Sequence, residues 1–483
     1  MTSSFYWHDY ETFGADPQRD RPAQFAGVRT DLDLNIIGEP LVIYCQPAED
    51  MLPQPEACLI TGITPQKARE EGYVEAEFIR QIHQEFSQPG TCVVGYNNIR
   101  FDDEVTRNTL YRNFYDPYAR EWQNGNSRWD IIDMVRLAYA LRPDGIEWPR
   151  KDDGSPSFRL EDLTRANGIV HEAAHDAMSD VYATIALARL IREKQPKLFQ
   201  YVFEHRDKHS VAAMLDVANM KPVFHVSSRY PARLKCAALV APVAKHPTNP
   251  NGVLVYDLRV DPTPLAQLTV EQIQERLFTP QADLGQGVER IPLKAIHTNK
   301  CPIVAPAAML KSLSSTQLQE MELDGERLRT NLAKLRAING LSEKLAQVYQ
   351  STDERGTDDP DLMLYSGGFF SAQDKQWMEF IRQQSPDVLG ELEIQREDSR
   401  LGEMLFRYRA RNYPETLSGE EAERWELYRY ARLTDPNGGG SIVLQEYFRQ
   451  IETLMQKPDL TARDRSILQD LYFYGESVIP VAY

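Results

Sequence analysis

The run Phe5-Tyr6-Trp7-His8-Asp9-Tyr10-Glu11-Thr12-Phe13 decides how the first part of this chain is read. Its aromatic and apolar residues suit a buried β-strand, predicted over 4–12. Side chains alternate between the faces of a strand, so Asp9 and Glu11 share one face, roughly 7 Å apart. Two acids on a buried sheet face are costly unless a cation or a proton neutralises them. Both offer only oxygen, which points to a hard metal. The same spacing recurs at Asp31/Asp33, Glu75/Glu77 and Glu391/Glu393 without the aromatic strand. Those pairs read as solvated surface.

Outward from this strand, 24–30 and 41–46 read as two more strands. A helix follows over 75–85 with Phe78, Ile82 and Phe86 on one face, then a buried strand over 91–96 and a helix over 103–112. Further helices are predicted over 158–166 and 177–194. Alternating strands and helices imply an α/β domain spanning 1–200. Over 201–350, short β-like runs (222–227, 252–258, 290–297, 302–305) precede two helical stretches, which reads as a small β-rich domain with appended helices. Polar, acidic 351–360 is a linker, and 361–483 is mostly helical.

The chain has 483 residues, enough for several domains with separate cores. No apolar run approaches the roughly 20 residues that span a bilayer, so no membrane partner is expected. The N-terminus lacks the basic-then-apolar pattern of a signal peptide. Five scattered cysteines (Cys45, Cys58, Cys92, Cys236, Cys301) without a CxxC fit reduced thiols and a cytoplasmic location. A net charge of −17 argues against indiscriminate nucleic-acid binding while leaving room for a local basic groove.

Two further places carry acids in a comparable setting. In Gly95-Tyr96-Asn97-Asn98-Ile99-Arg100-Phe101-Asp102-Asp103-Glu104 a strand runs into a helix start. Asp103 is expected near the cap and Asp102 turned toward the site. In His175-Asp176-Ala177-Met178-Ser179-Asp180, Asp176 is the expected N-cap, with His175 on the loop and Asp180 one turn into the helix. Four carboxylates in one pocket would repel, and two divalent cations would relieve them. Paired metals about 4 Å apart suit phosphodiester hydrolysis. His175, neutral near pH 7, could take the water's proton.

Asp9-x-Glu11-Thr12, the Asn97-x3-Phe101-Asp102 segment and His175-x4-Asp180 together resemble the three exonuclease motifs of the DnaQ-like, or DEDDh, superfamily. Within it, His8 to Gly14, Gly95 to Asn108, Ser157-Phe158-Arg159-Leu160 and Phe406 to Pro414 are similar to a bacterial branch, over nearly the whole chain. That resemblance implies a ribonuclease-H-like α/β exonuclease domain, then an SH3-like domain, then a helical C-terminal domain. It implies a processive 3′→5′ exonuclease that degrades single-stranded DNA to 5′-mononucleotides in DNA repair and recombination. It implies Mg²⁺, two ions per site with Mn²⁺ able to substitute, on Asp9, Glu11, Asp102 and Asp180, with His175 as base. A monomer is also implied.

Residues 96–136 interleave arginines with aromatics, as a single strand requires for phosphates and stacked bases. Arg107, Tyr118, Trp122 and Arg136 are expected strand contacts, as is Glu11. Arg159 is expected near the scissile phosphate, and Phe13 as a wedge against the terminal base. Arg407, Arg409 and Arg411 with Tyr408 and Tyr413 form either another wall or a helical core face. The branch also binds the acidic C-terminal tail of single-stranded-DNA-binding protein, for which Arg142, Tyr201 and Lys221 are candidates. Three other readings stand beside this one: a related exoribonuclease or proofreading nuclease, a non-catalytic single-strand-binding scaffold, and a hydrolase of small phosphodiesters. The two extra domains, the full set of catalytic residue types and the Arg/aromatic segment weigh against each in turn.

Overall fold

The alternation in the opening strand organises the first sheet. In the computed structural model, which describes residues 2–171, 176–350, 356–392 and 397–480, β1 is Ser4–Thr12. It pairs antiparallel with β2 (Pro22–Thr30) and parallel with β4 (Thr91–Gly95). With β3 (Leu41–Tyr44) and β5 (Ser127–Asp130) the order is β3-β2-β1-β4-β5. Tyr6 and Tyr10 face a core built from Phe25, Phe78, Ile82, Phe86 and Val93. Those residues include the apolar face of the Glu75–Phe86 helix. With the even-numbered side chains buried there, Asp9 and Glu11 fall on the other face. The β1–β2 register shifts between Glu11 and Thr12, opposite Pro22, which has no N–H to give the ladder.

Two compact units divide the chain, one comprising 1–128, 171–185 and 355–483, the other 129–170 and 186–354. In the first, the Leu444–Met455 and Ala462–Ser477 helices share a core with Phe13, Leu52 and Cys58. The Arg400–Asn412 helix is a core face: Tyr408 packs with Phe114 and Leu405, and its arginines are buried in ion pairs. Arg411 pairs with Asp50 (2.8 Å) and Asp361 (2.7 Å), Arg407 with Asp361 (3.0 Å), and Arg409 with Glu421 (2.6 Å). Within the expected linker, Asp359 also pairs with Arg407 (2.5 Å); residues 351–355 lie outside the described residues.

The second unit holds an antiparallel sheet, order β10-β6-β7-β8-β9. The strands are β6 (Val223–Val226), β7 (Ala237–Lys245), β8 (Gly252–Asp257), β9 (Leu293–His297) and β10 (Ile303–Pro306). Four of these match predicted runs. Strand β7, the central one, was not anticipated: alanine is weak in strands, and Pro242 argues against a central strand. The fold accommodates Pro242 with a register irregularity between Pro242 and Ala244. Among the described residues no helix is long and apolar enough to cross a membrane.

Candidate active site

Three acids from two elements converge. One ligand oxygen each from Asp9, Glu11 and Asp180 lies within 4.8 Å of the others. Strand β1 presents the first two, and the first turn of the Ala177–Lys194 helix presents Asp180. That helix begins as its sequence suggested: the Ser179 N–H donates to Asp176 Oδ2 at 3.1 Å, so Asp176 caps it. Asp102 stands beside this trio, and its Oδ1 accepts the Tyr10 N–H at 3.1 Å, tying the Asp102–Arg112 helix to the strand between the two acids.

Asp103 does not cap that helix. It is wholly buried, accepting bonds from Arg120 (2.7 Å) and Arg128 (2.8 Å), and these two guanidinium groups hold its carboxyl far below the usual carboxylate range. Neighbouring acids thus have opposite roles: Asp102 faces the site, and Asp103 anchors the helix behind it.

The site's electrostatics favour a cation. Burial, then repulsion from Asp180 and Asp102, pushes the Glu11 carboxyl up to about 8. Asp9 is raised well above its ordinary value by burial and by Asp102, Glu11 and Asp180. Oxygen-only donors that resist ionising together fit hard divalent cations, which would remove the repulsion. Asp9, Glu11 and Asp180, with Asp102 beside them, could hold such cations.

His175 lies outside the described residues. A second imidazole stands at Asp180: the His171 side chain is 4 % exposed, and its Nε2 lies 2.6 Å from Asp180 Oδ1. The available signal was a second histidine four residues before His175 in the sequence.

Around the site in the first unit, two expected strand contacts are placed otherwise. Phe13, only 1 % exposed, sits in the core against the C-terminal helices and cannot wedge against a base. Arg107, 5 % exposed, gives Nε and Nη2 to Glu121 (2.8 and 2.9 Å) and Nη1 to Glu104 (2.9 Å). Its guanidinium also lies over the Tyr118 ring at 5.2 Å, so it supports that aromatic rather than meeting phosphate. Trp122 is 64 % exposed. Phe369, which the sequence reading missed, is 87 % exposed, and its ring lies edge-on to Tyr118 at 6.2 Å. A bare phenylalanine in Gly367-Gly368-Phe369-Phe370 was the clue, although sequence alone does not say which of the pair is buried.

In the second unit, Arg136 is paired with Asp133 (2.5 Å) and lies over Phe158, while Arg159 is exposed before the Leu160–Ala166 helix. Arg142 donates to Ser312 Oγ (2.9 Å), the Tyr201 hydroxyl donates to the Val304 carbonyl (3.1 Å), and Lys221 is exposed.

A mixed sheet carrying clustered acids on its central strand, with a further acid from a capped helix, has the donor set to hold divalent cations for phosphodiester hydrolysis. The exonuclease family profile matches 6–188, the exonuclease I SH3-like domain 206–351, and the exonuclease I C-terminal domain 358–478. Exodeoxyribonuclease I of Escherichia coli is 47% identical over 478 residues, covering 99% of this chain and 98% of that protein. The solved exonuclease I of Methylocaldum szegediense is 57% identical with a TM-score of 0.94, covering 99% of this chain and 100% of the other. The E. coli enzyme in complex with a dA16 oligonucleotide gives 47% and 0.94, with the same coverage. The chain belongs to the exodeoxyribonuclease I family, and it is a phosphodiester-cleaving hydrolase.

Proposed function

We propose that this protein removes nucleotides processively from the 3′ end of single-stranded DNA, releasing 5′-mononucleotides, in DNA repair and recombination. The observation that carries this reading is the convergence of Asp9, Glu11 and Asp180 within 4.8 Å, with Asp102 tied to the same strand. E. coli exonuclease I has been solved with single-stranded oligonucleotides and in a zinc-bound form with single-stranded DNA.

The cofactor is two Mg²⁺ ions, with Mn²⁺ as a substitute; when bound, such ions lower the pKa of the attacking water and offset charge on the leaving 3′-oxygen. The protein's part is to hold and orient. Asp9 and Glu11 are fixed by the β1 ladder, and Asp102 by the Tyr10 N–H. Asp180 is fixed by a capped helix turn, with His171 on one carboxylate oxygen. His175 accepts the proton of the attacking water. Trp122, Tyr118 and Phe369 offer rings for stacking successive bases, at about 1–3 kcal/mol each. Arg136 and Arg159 bind the strand, the latter near the scissile phosphate.

Arg142, Tyr201 and Lys221 receive the acidic tail of single-stranded-DNA-binding protein; a solved structure is described as SSB/Exonuclease I with an inhibitor. Lys221→Glu should weaken binding of a tail peptide, and unchanged affinity would remove it from that pocket. The protein works as a cytoplasmic monomer.

The deciding experiment gives the protein 5′-labelled single-stranded DNA and a matched RNA with Mg²⁺. A ladder shortening from the 3′ end of DNA alone is expected; degradation of RNA at a similar rate, or shortening from the 5′ end, overturns the reading.

A further inference from the structure

Each acid of a cation site needs its carboxylate aimed as well as its backbone placed. The terminal torsion of a carboxylate is broad and roughly two-fold, so a fixed Cα does not fix the direction of the oxygens. For Asp102 the Tyr10 N–H on Oδ1 (3.1 Å) supplies the aim. For Asp180 the backbone is held by the capped helix start: its N–H donates to the Asp176 carbonyl (3.1 Å), and Ala177, Val181 and Ala183 around it are buried. Those contacts hold the turn. The carboxylate itself is met by His171, whose Nε2 stands 2.6 Å from Oδ1.

Three features of this contact bear on the cation. An ionised carboxylate only accepts hydrogen bonds, so Nε2 carries the hydrogen and donates it to Asp180. The two side chains are 4 % and 18 % exposed, so water competes poorly for the bond. Among the described residues, the donor atoms that lie within 4.8 Å of one another are those of Asp9, Glu11 and Asp180. His171 is not in that set, so it acts on the cation through Asp180. Asp180 is also the neighbour whose charge weighs most on Glu11. Turning its carboxylate would change the field at the other acids as well.

We propose that His171 is a positioning residue for the cation site: by donating from Nε2 to Oδ1 it fixes the rotation of the Asp180 carboxylate and thereby sets the affinity for divalent cations. This rests on the cation-dependent nuclease reading above. It is separate from the part given there to His175, which concerns the proton of the attacking water. Hydrogen bonds made to a ligating carboxylate from outside the coordination shell are worth roughly 10–100-fold in metal affinity. The competing account is that the imidazole ring only packs the chain that precedes the helix.

Two variants of the full-length protein separate donor from ring. His171→Phe keeps a ring of similar size and has no N–H; His171→Gln keeps an N–H donor and has no ring. Melts in EDTA establish folding, and Mg²⁺ binding to the metal-free proteins is followed by calorimetry at pH 8. His171→Phe should raise the Mg²⁺ dissociation constant about 10–100-fold, and His171→Gln by less than about fivefold. The Mg²⁺ concentration for half-maximal cleavage should shift in the same order, while affinity for oligo(dT) in EDTA stays within about twofold of wild type. An unchanged dissociation constant in His171→Phe overturns the proposal. So does a larger loss in His171→Gln than in His171→Phe, which is the order that ring packing predicts. If His171→Phe does not fold, His171→Ala takes its place with the same expected loss. Absence of saturable Mg²⁺ binding in wild type overturns the cation reading above and this proposal with it, whereas tight wild-type binding matched by His171→Phe overturns this proposal alone.

Discussion

Glu11 lies where electrostatic stress and catalysis meet. Its carboxyl is raised from 4.5 to about 8 in the folded protein, so the folded state holds a proton that the unfolded state releases. The resulting stabilisation is full below about pH 4.5 and is lost as pH rises through about 8. Glu11→Gln should therefore make the metal-free protein more stable than wild type at pH 8, by an amount on the order of 1–3 kcal/mol. The same variant should lose cation-supported cleavage. Thermal melts in EDTA read the first effect, and a variant that melts lower than wild type would contradict it. His175→Ala should cut turnover by roughly 10²–10⁴ and leave strand affinity largely intact. Wild-type turnover in that variant would remove the imidazole from the mechanism.

At the scale of elements, the Asp102–Arg112 helix is held by a buried ion cluster. Asp103→Ala strips Arg120 and Arg128 of a carboxylate they share in the interior. Breaking a buried pair costs about 3–5 kcal/mol. Urea denaturation should show a loss of that size, and a loss near zero would mean the cluster contributes nothing to the fold. What the sequence made legible follows the same lines. The Asp9/Glu11 strand, the Asp176 cap and the apolar face of the Glu75–Phe86 helix obey local rules of alternation, capping and periodicity. Strand β7 escaped because its alanines and Pro242 carry no local strand signal, and only burial on all sides explains it. Arg107 and Phe13 were misjudged because residue type does not reveal burial. An arginine beside aromatics suits a nucleic-acid surface, yet Glu121, fourteen positions away, claims this one. Phe369 and His171 were missed because exposure and proximity to Asp180 are products of tertiary structure.

At the scale of the molecule, the chain accepts destabilisation in one place to gain a cation site. Elsewhere in the first unit buried carboxylates meet arginines: Asp50 and Asp361 with Arg411, and Glu75 with Arg112. Those pairings hold Asp50 and Asp361 well below the carboxylate range and Glu75 at about 2. Asp9 and Glu11 instead face like charge from their acidic neighbours, and their carboxyls are raised. Divalent cations should therefore raise the melting temperature more at pH 8 than at pH 5, where the acids already hold protons. An equal shift at both values would contradict this.

The most direct measurement is the proton balance of cation binding. Mg²⁺ is titrated calorimetrically into the metal-free protein near pH 7, in two buffers of different ionisation heat. With Glu11 titrating at about 8 and Asp9 also raised, binding should release about one proton or more, and the measured heat should differ between buffers accordingly. Identical heats in both buffers, or no saturable binding, would contradict the convergence of these acids on a shared cation.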